Sequence, residues 1–363
     1  SSDVCSSDLS IKTYKCPNCG AALTFDSKTQ KLHCSHCDTS IDVEAMKALS
    51  DTPSSTDQDN ARWNTSDAGS NWSSSEQQGM RSYHCPTCGA ELVTDETTAA
   101  STCAYCGSPV VLSDHLSGAK RPNYVIPFKV DKKTAKETLK NFYKGKIFLP
   151  RAFSAENHLE EISGIYVPFW LYSCESNGSF SFDATRTHHY TDGDYDVTET
   201  EHYLVLRDGE ARFNNIPVDG SSKMDDAYMD AIEPFDYSAI TDFHTDYLPG
   251  YAAQTYDEDA TACAPRATAR VKNTTIAAIR RTCDYTTLTP RTSKISTTQN
   301  SVDYALLPVW MLTTNWHGKS YHFAINGQTG KLIGDLPIDK GRFFSLLAGI
   351  TIPLGILLKL FIF

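Results

Sequence analysis

Residues 83–107 read YHCPTCGAELVTDETTAASTCAYCG and hold two Cys-x-x-Cys pairs separated by 14 residues. The same arrangement occurs 69 positions earlier in the chain. A Cys-x-x-Cys turn offers two thiolates, and a loop of this length allows a hairpin that brings the second pair onto the first. The spacing therefore predicts two small β units, each holding one metal ion. The predicted metal ligands are Cys16, Cys19, Cys34 and Cys37 in the first set, and Cys85, Cys88, Cys103 and Cys106 in the second.

The ligand type indicates which metal to expect. Four thiolates in a tetrahedron form the ligand set of structural zinc sites, so we expect two structural Zn²⁺ ions. Iron is the alternative, because Cys-Pro-x-Cys-Gly turns also occur in rubredoxins. Disulfides are the other use of paired cysteines, but we expect reduced thiols facing the cytosol. His33, His36 and His84 adjoin the cysteines, and we interpret them as side chains outside the ligand sets.

The composition bounds the rest of the chain. A length of 363 residues suggests two or three folded units, and 40% hydrophobic residues indicate that most of the chain is globular. The formal net charge of −11 argues against a surface built to grip nucleic acid. A long apolar run occurs only at the C-terminal end, which excludes a polytopic transporter for the residues given.

Shifts in composition divide the chain into six segments. Residues 50–80 are rich in Ser, Asp, Asn and Gln, which favours a flexible linker. The predicted order is a disordered or artefactual tail (1–11), ribbon 1 (12–49), the linker (50–80), ribbon 2 (81–116), an α+β domain (120–338) and a transmembrane segment (343–363). The predicted fold class is therefore two small metal-bound β zinc ribbons, rubredoxin-like, followed by an α+β domain with an antiparallel sheet and a C-terminal transmembrane helix.

Periodicity predicts the elements of the α+β domain. Strands are expected at 126–130, 165–173, 304–314, 319–326 and 330–335, helices at 132–144, 154–162, 222–232 and 264–281, and a hairpin over 179–213 with its turn at 192–194. The 132–144 helix carries five lysines on one face, at positions 132, 133, 136, 140 and 144. That face either meets solvent or rests on anionic lipid headgroups.

Charge is segregated within the same domain. Residues 183–259 hold 19 acidic and four basic side chains, whereas residues 260–297 hold seven basic and one acidic. The simplest interpretation is that the two segments lie close together and partly neutralise each other. An acidic face for a basic partner is the functional alternative.

The C-terminal run FFSLLAGITIPLGILLKLFIF occupies 343–363 and is long enough to cross a bilayer. Lys340 and Arg342 precede it, and the positive-inside tendency then leaves the N-terminal parts in the cytoplasm. We expect a single-pass protein of the cytoplasmic membrane, with cytoplasmic N-terminal domains and the lipid bilayer as the partner of this segment. A buried core helix is the alternative.

The sequence contains only incomplete forms of the motifs that bind phosphate or calcium. The string GQTGKL at 327–332 is too short for a phosphate-binding loop, so we interpret it as a β-turn. Asp192-x-Asp194-x-Asp196 resembles the start of a calcium loop, but Val197 replaces the glycine that such a loop requires, so a hairpin turn is favoured. Residues 81–116 carry one basic and four acidic side chains, which should repel phosphate. Only ribbon 1 remains a weak candidate for binding nucleic acid.

Residues 14–46 and 83–112 resemble the zinc ribbons of transcription factor B-type proteins and of primosomal helicases. The remaining strings resemble a family of uncharacterised bacterial membrane-anchored zinc-ribbon proteins, the TFIIB-type zinc ribbon-containing proteins. They are the run from IPFKVDKKTAKETLKNF to FLPRAF (126–153), IEPFDYSAI (232–240), YLPGYAAQTYD (247–257) and AINGQTGKLIGDLP (324–337). The resemblance covers most of residues 12–363 and implies no particular activity.

These features predict a non-enzymatic, membrane-anchored double zinc-ribbon protein. It would present a protein-interaction or scaffold surface at the cytoplasmic face, to a protein partner that the sequence does not identify. The alternative is a zinc-ribbon protein that binds nucleic acid or takes part in transcription, although the charge makes nucleic acid an unlikely partner. No catalytic residue and no small-molecule substrate is expected.

Overall fold

The computed structural model describes residues 23–36, 40–43, 61–98, 100, 102–113, 118–155 and 161–362. The chain divides into two compact units, residues 1–58 and residues 59–363. The predicted tail (1–11) and residues 50–60 of the predicted linker lie outside the described residues.

The smaller unit contains a three-stranded antiparallel sheet. Its strands are β1 (Thr24–Asp26), β2 (Lys31–His33) and β3 (Ser40–Asp42), in that order. Leu23 and Leu32 are buried, as is Cys34, which directly follows β2. A tight turn joins β1 to β2, in which Asp26 accepts hydrogen bonds from the backbone of Lys28 and the hydroxyl of Thr29.

The larger unit contains six α-helices, two short 3₁₀ helices (Tyr237–Ala239 and Thr245–Tyr247) and eleven strands within the described residues. Its first half comprises α1 (Ser74–Gln78), β4 (Met80–His84), β5 (Glu91–Asp95), β6 (Val111–Ser113), β7 (Tyr124–Val125), α2 (Lys132–Tyr143), α3 (Arg151–Ala155), β8 (Ser163–Asp192) and β9 (Tyr195–Asp219). Its second half comprises α4 (Asp226–Ala231), β10 (Thr241–Asp242), β11 (Ala252–Gln254), α5 (Ala260–Arg281), β12 (Thr287–Trp316), β13 (Lys319–Asn326), β14 (Leu332–Gly334) and α6 (Lys340–Ile362).

All eleven strands belong to one mixed sheet. The main path runs β10-β7-β12-β8-β11-β5-β4-β6, with β9 paired to β8, β13 to β12 and β14 to β13. Most pairs are antiparallel, as expected, but β7 with β12 and β8 with β11 are parallel. The predicted antiparallel sheet is thus correct for the long strands and wrong for these two pairs. The short strands β7 and β11 enter the sheet through long connections, which allow parallel pairing.

Three long strands form the centre of the sheet. β8 and β12 each have 30 residues and β9 has 25. The predicted strand 165–173 and the first arm of the predicted hairpin are therefore one continuous strand. Residues 165–172 are buried on both faces, which explains their unbroken apolar run. From residue 172 to residue 180 buried positions alternate with more exposed ones. Helix α5 covers one face of this part of the strand through Val271, which packs with Phe180 and Phe182.

The segment 61–80 is ordered, so the prediction of a flexible linker is wrong there. The ring of Trp63 lies 4.9 Å from that of Tyr172, and its Nε1 donates to Thr268 Oγ1 at 3.1 Å. Trp72 Nε1 donates to the carbonyl of Ala119 at 2.9 Å. The composition is polar, but the two tryptophans bury enough apolar surface to fix the segment against the sheet.

The expected neutralisation between the acidic and basic segments is confirmed. On α5, Arg266 pairs with Asp219 at 2.7 Å and with Asp226 at 2.9 Å. One turn later, Arg270 pairs with Asp230 and, at 2.9 Å, with Glu233. The basic face of α5 therefore meets the carboxylates that surround the end of β9 and α4.

The C-terminal helix α6 carries the expected apolar run. Residues Lys340–Leu358 have a mean hydropathy of 1.7, and none of that stretch is buried against the rest of the described chain. By length and composition this helix could cross a membrane. The alternative of a buried core helix is wrong for this stretch.

Asp219 is the most deeply buried carboxylate of the ion-pair cluster. Its side chain has no exposed surface, and none of the described groups donates a hydrogen bond to its Oδ2. Burial raises the pKa of Asp219 from 3.8 to about 6, although the Arg266 guanidinium acts in the opposite direction. The folded state therefore binds a proton more tightly than the unfolded state does, and the stability that protonation confers is lost as pH rises from about 4 to about 6.

We predict that Asp219→Asn removes this pH dependence. The unfolding free energy of the wild type, relative to the variant, should fall by about 3 kcal/mol at most between pH 4 and pH 7. Thermal or denaturant unfolding of both proteins in detergent at several pH values measures this difference. The titration of other groups cancels, because the wild type and the variant share them. Asp208→Asn at an exposed position is the control for losing one charge, and a wild-type advantage that rises with pH would contradict the prediction.

Candidate metal centre

The two predicted ligand sets differ in how much of each the structure describes. In the smaller unit Cys34 is buried at the end of β2, whereas Cys16, Cys19 and Cys37 lie outside the described residues. The first predicted site therefore remains a prediction. The four cysteines of the second set are all described.

Two turns with the same backbone hydrogen bond hold the four cysteines of the second ligand set. In the first turn, the amide of Gly89 donates to the carbonyl of Cys85 at 2.8 Å, and the amide of Cys85 donates to that of Ala90 at 2.8 Å. In the second turn, the amide of Gly107 donates to the carbonyl of Cys103 at 2.9 Å. Gly89 and Gly107 have φ values of +72° and +73°, a conformation that favours glycine, so each turn can curl beneath its sulfurs.

The four sulfur atoms converge. All four Sγ atoms lie within 4.8 Å of one another, and the closest pairs are Cys85 with Cys106 at 3.5 Å and Cys88 with Cys103 at 3.6 Å. A Zn–S bond of about 2.3 Å would place the sulfurs of a tetrahedron about 3.8 Å apart, so the cluster has the dimensions of a metal site. Within the described residues, it is the one group of three or more potential ligands that converges in this way.

Burial opposes ionisation of two of these thiols, because it raises the pKa of Cys88 and of Cys103. At Cys106, burial also acts to raise the pKa, but hydrogen bonds with Ser108, Cys85 and Cys88 together lower it to about 7. Four thiolates at these distances require a cation to offset their repulsion, which is what a bound metal ion supplies.

A positive side chain lies beside the cluster. Lys223 forms an ion pair with Asp257 at 2.8 Å, and its Nζ lies 3.9 Å from the position that a Cβ atom on Gly89 would occupy. The hydrogen bond to Asp257 raises the pKa of Lys223, and the charges of Cys88 and Cys103 act in the same direction. Its ammonium can therefore offset part of the net negative charge that four thiolates and one divalent metal ion carry together.

The cluster is built into the large sheet. Strand β5 pairs with β11 through Val93 with Ala253 and Leu92 with Gln254. The prediction that ribbon 2 is a separate module on a tether is therefore wrong. The linker that should have isolated it is itself packed, and one edge of ribbon 2 supplies strand pairing to the rest of the unit.

Tyr105, between two of the cysteines, makes the second connection. Its hydroxyl donates to Gln254 Oε1, and Gln254 Nε2 donates to Ser221 Oγ at 2.7 Å. Thr313 on β12 donates to the carbonyl of Tyr105 at 2.6 Å. Reasoning from the sequence did not single out these residues, because nothing in the spacing of Tyr105, Gln254 and Thr313 relates them to one another.

The other motifs form turns, as expected. β8 ends at Asp192 and β9 begins at Tyr195, so Gly193 and Asp194 form a two-residue hairpin turn. At the second motif, the amide of Gly330 donates to the carbonyl of Asn326 at 2.9 Å, which closes a turn one residue longer than the predicted β-turn.

These observations define the class of protein: a protein with a mixed, mostly antiparallel sheet and helices, a cysteine cluster able to hold a metal ion, and an apolar C-terminal helix. The chain is 36% identical over 351 residues to the uncharacterized protein YdjG of Bacillus subtilis (strain 168), a match that covers 96% of this chain and 97% of that protein. The chain therefore belongs to the YdjG family. No protein-family model matches it, and no solved structure does.

We predict that Tyr105→Phe weakens the larger unit without removing metal. The change leaves Gln254 Oε1 buried without its donor, which should cost about 1–3 kcal/mol of unfolding free energy. Thermal unfolding together with metal analysis of the same preparation measures both properties. A variant that loses metal, or one whose unfolding is unchanged, would contradict the connection described here.

Proposed function

We propose that this protein is a non-enzymatic, membrane-anchored scaffold stabilised by two zinc ions, which presents a protein-binding surface at the cytoplasmic face. The observation that carries the proposal is the closed cluster of Cys85, Cys88, Cys103 and Cys106. A metal held by these four sulfurs has no open position for water or a substrate, so it supports a fold rather than a reaction.

The choice of zinc rests on the ligand chemistry. Zinc favours four thiolates in a tetrahedron and contributes directly to folding, by about 10–16 kcal/mol in small zinc-binding peptides. The first set repeats the spacing of the second, which supports a second ion held by Cys16, Cys19, Cys34 and Cys37. The same geometry also suits iron, so the metal content of the purified protein decides between them.

Helix α6 supports the membrane anchor. Its large apolar side chains from Phe343 to Leu358 are exposed, an arrangement that is unfavourable in water and favourable in hydrocarbon. Lys340 and Arg342 stand at its start, on the side that the positive-inside tendency assigns to the cytoplasm. The rest of the chain is then cytoplasmic, where cysteines remain reduced and able to bind zinc.

The far end of the β8–β9 hairpin supports the protein-interaction role. Tyr190 and Tyr195 are exposed there, with 77% of the surface of Tyr195 accessible. Asp192, Asp194 and Asp196 lie at the same end of the hairpin, and Glu199 and Glu201 lie further along β9. Exposed aromatic side chains among carboxylates suit a basic protein surface, and the negative charge repels nucleic acid.

The metal content tests the first part of the proposal. The full chain should contain two zinc ions, and Cys103→Ser should contain one and unfold at a lower temperature, because the second cluster is joined to the large sheet. Cys16→Ser should also contain one zinc, but the larger unit should unfold at an unchanged temperature, because that cysteine belongs to the other unit.

Cys283→Ser is the matched control, because Cys283 lies outside both sets and hydrogen-bonds to the carbonyl of Ile279. It should keep two zinc ions. Iron in the purified protein, or fewer than two metal ions per chain, would contradict the proposal.

Fractionation tests the anchor. The full chain should remain with membranes after washing at high pH, and deletion of 343–363 should release it. Ile352→Lys with Ile356→Lys should weaken insertion, since each charge near the bilayer centre costs about 3 kcal/mol. Ile352→Leu with Ile356→Leu is the matched control, and labelling of residues 50–80 from outside the cytoplasm would contradict the orientation.

A further inference from the structure

The start of helix α6 is fixed to the loop that follows α2. The amide of Asp339 donates to the carbonyl of Phe148 at 2.8 Å, and Arg342 Nη1 donates to the carbonyl of Leu149 at 3.2 Å. The rings of Phe148 and Phe343 meet edge to face, with centroids 5.5 Å apart. The loop after α2 therefore lies at the foot of α6, although almost 200 positions separate them in the chain.

Apolar and basic side chains lie together where the loop after α2 meets the start of α6. Ile147 and Ile338 adjoin the two hydrogen-bonded residues, and they are 62% and 65% exposed. Lys144 and Lys146 lie just before Ile147 in the chain and are also exposed. We call Lys144, Lys146, Ile147 and Ile338 the basal surface.

The charge of the basal surface differs from that of the whole chain. Residues 138–151 and 338–342 carry six basic and one acidic side chain, in a chain whose net charge is −11. Lys144 Nζ donates to the side-chain oxygen of Asn141, and Lys146 Nζ lies over the ring of Phe142. Both lysines are held by uncharged groups here, and none of the described carboxylates forms an ion pair with either.

We propose that the basal surface rests on the anionic headgroups of the bilayer that α6 enters. The position at the foot of an exposed apolar helix, the two exposed isoleucines and the local positive charge all favour lipid over water. The inference rests on the proposed membrane anchor and adds to it a fixed orientation. The larger unit lies against the membrane by one defined surface.

The opposite end of the same helix provides a matched control. Lys132 and Lys133 stand at the first turn of α2, twelve positions from Lys144, which is about 18 Å along a helix. Lys144→Gln with Lys146→Gln and Lys132→Gln with Lys133→Gln remove the same charge from the two ends. All four positions are exposed, so neither pair should disturb folding.

Hydrogen–deuterium exchange of the full chain tests the proposal. The chain is placed in nanodiscs of phosphatidylcholine alone or with 30% phosphatidylglycerol, and exchange is followed at the amides of Lys146, Leu149 and Asp339. Each lysine near an anionic surface is worth about fivefold, so exchange should be about tenfold slower or more in the anionic discs. The difference should vanish in 1 M salt, where the Debye length is about 3 Å.

The variants and a phosphate control give the deciding outcomes. Lys144→Gln with Lys146→Gln should abolish the slowing, and Lys132→Gln with Lys133→Gln should retain it. Inorganic phosphate added to neutral discs should give no slowing, because a free anion lacks the apolar layer beneath it. Equal exchange in the two kinds of disc, or equal effects of the two variants, would overturn the proposal.

Flotation of the full chain with neutral vesicles separates this inference from the anchor. A chain that floats and resists alkaline washing, but shows no slowing in anionic discs, keeps its anchor and lacks the basal contact. A chain that does not float with neutral vesicles lacks the anchor on which the inference rests, and the inference is then overturned together with the anchor.

Discussion

The continuous pairing of β8 with β12 is the interaction on which the rest of the larger unit depends. It runs from Thr185 with Thr287 at one end to Ser163 with Met311 at the other. Both strands are buried on both faces near Leu171 and Leu306, where the helices and the short strands assemble. Four strands pair with this ladder directly, namely β7, β9, β11 and β13, and the other strands of the unit join the sheet through them.

The cysteine cluster is joined to that sheet and does not stand alone. A free-standing metal-bound ribbon would stabilise itself alone, whereas β5 and Tyr105 join this one to β11 and β12. The free energy of metal binding in such a cluster is comparable to the net stability of a whole domain. A metal held there would therefore stabilise the edge of the larger unit together with its own loops.

The proposed anchor and the ladder set the geometry of the proposed scaffold. The chain leaves the sheet at β14 and continues into α6, where Phe343 contacts Phe148. The helix is therefore joined to the unit by the chain itself and by this ring contact. The hairpin end at Asp192 is the far end of a 30-residue strand, about 100 Å long at 3.3 Å per residue if straight. Such an arm would place its acidic end well away from the residues that adjoin α6.

The sequence by itself determined the features that depend on near neighbours. Cysteine spacing indicated the two turns that bring Cys85 and Cys103 together, Asp-Gly-Asp indicated the turn at Gly193, and the apolar run after Arg342 indicated the exposed helix. Each of these signals lies within about 25 positions. The opposite charges of two adjoining segments likewise indicated the ion pairs of α5.

Only the tertiary structure decided which distant residues meet. Trp63 with Thr268, Tyr105 with Gln254 and Phe148 with Phe343 are each separated by well over 100 positions. The residues next to a single tryptophan in a polar stretch do not indicate which distant residue it contacts. The sequence therefore predicted a linker at 61–80, although this segment packs against the rest of the larger unit. Burial and partner choice depend on how the strands assemble, and that information is spread over the whole chain.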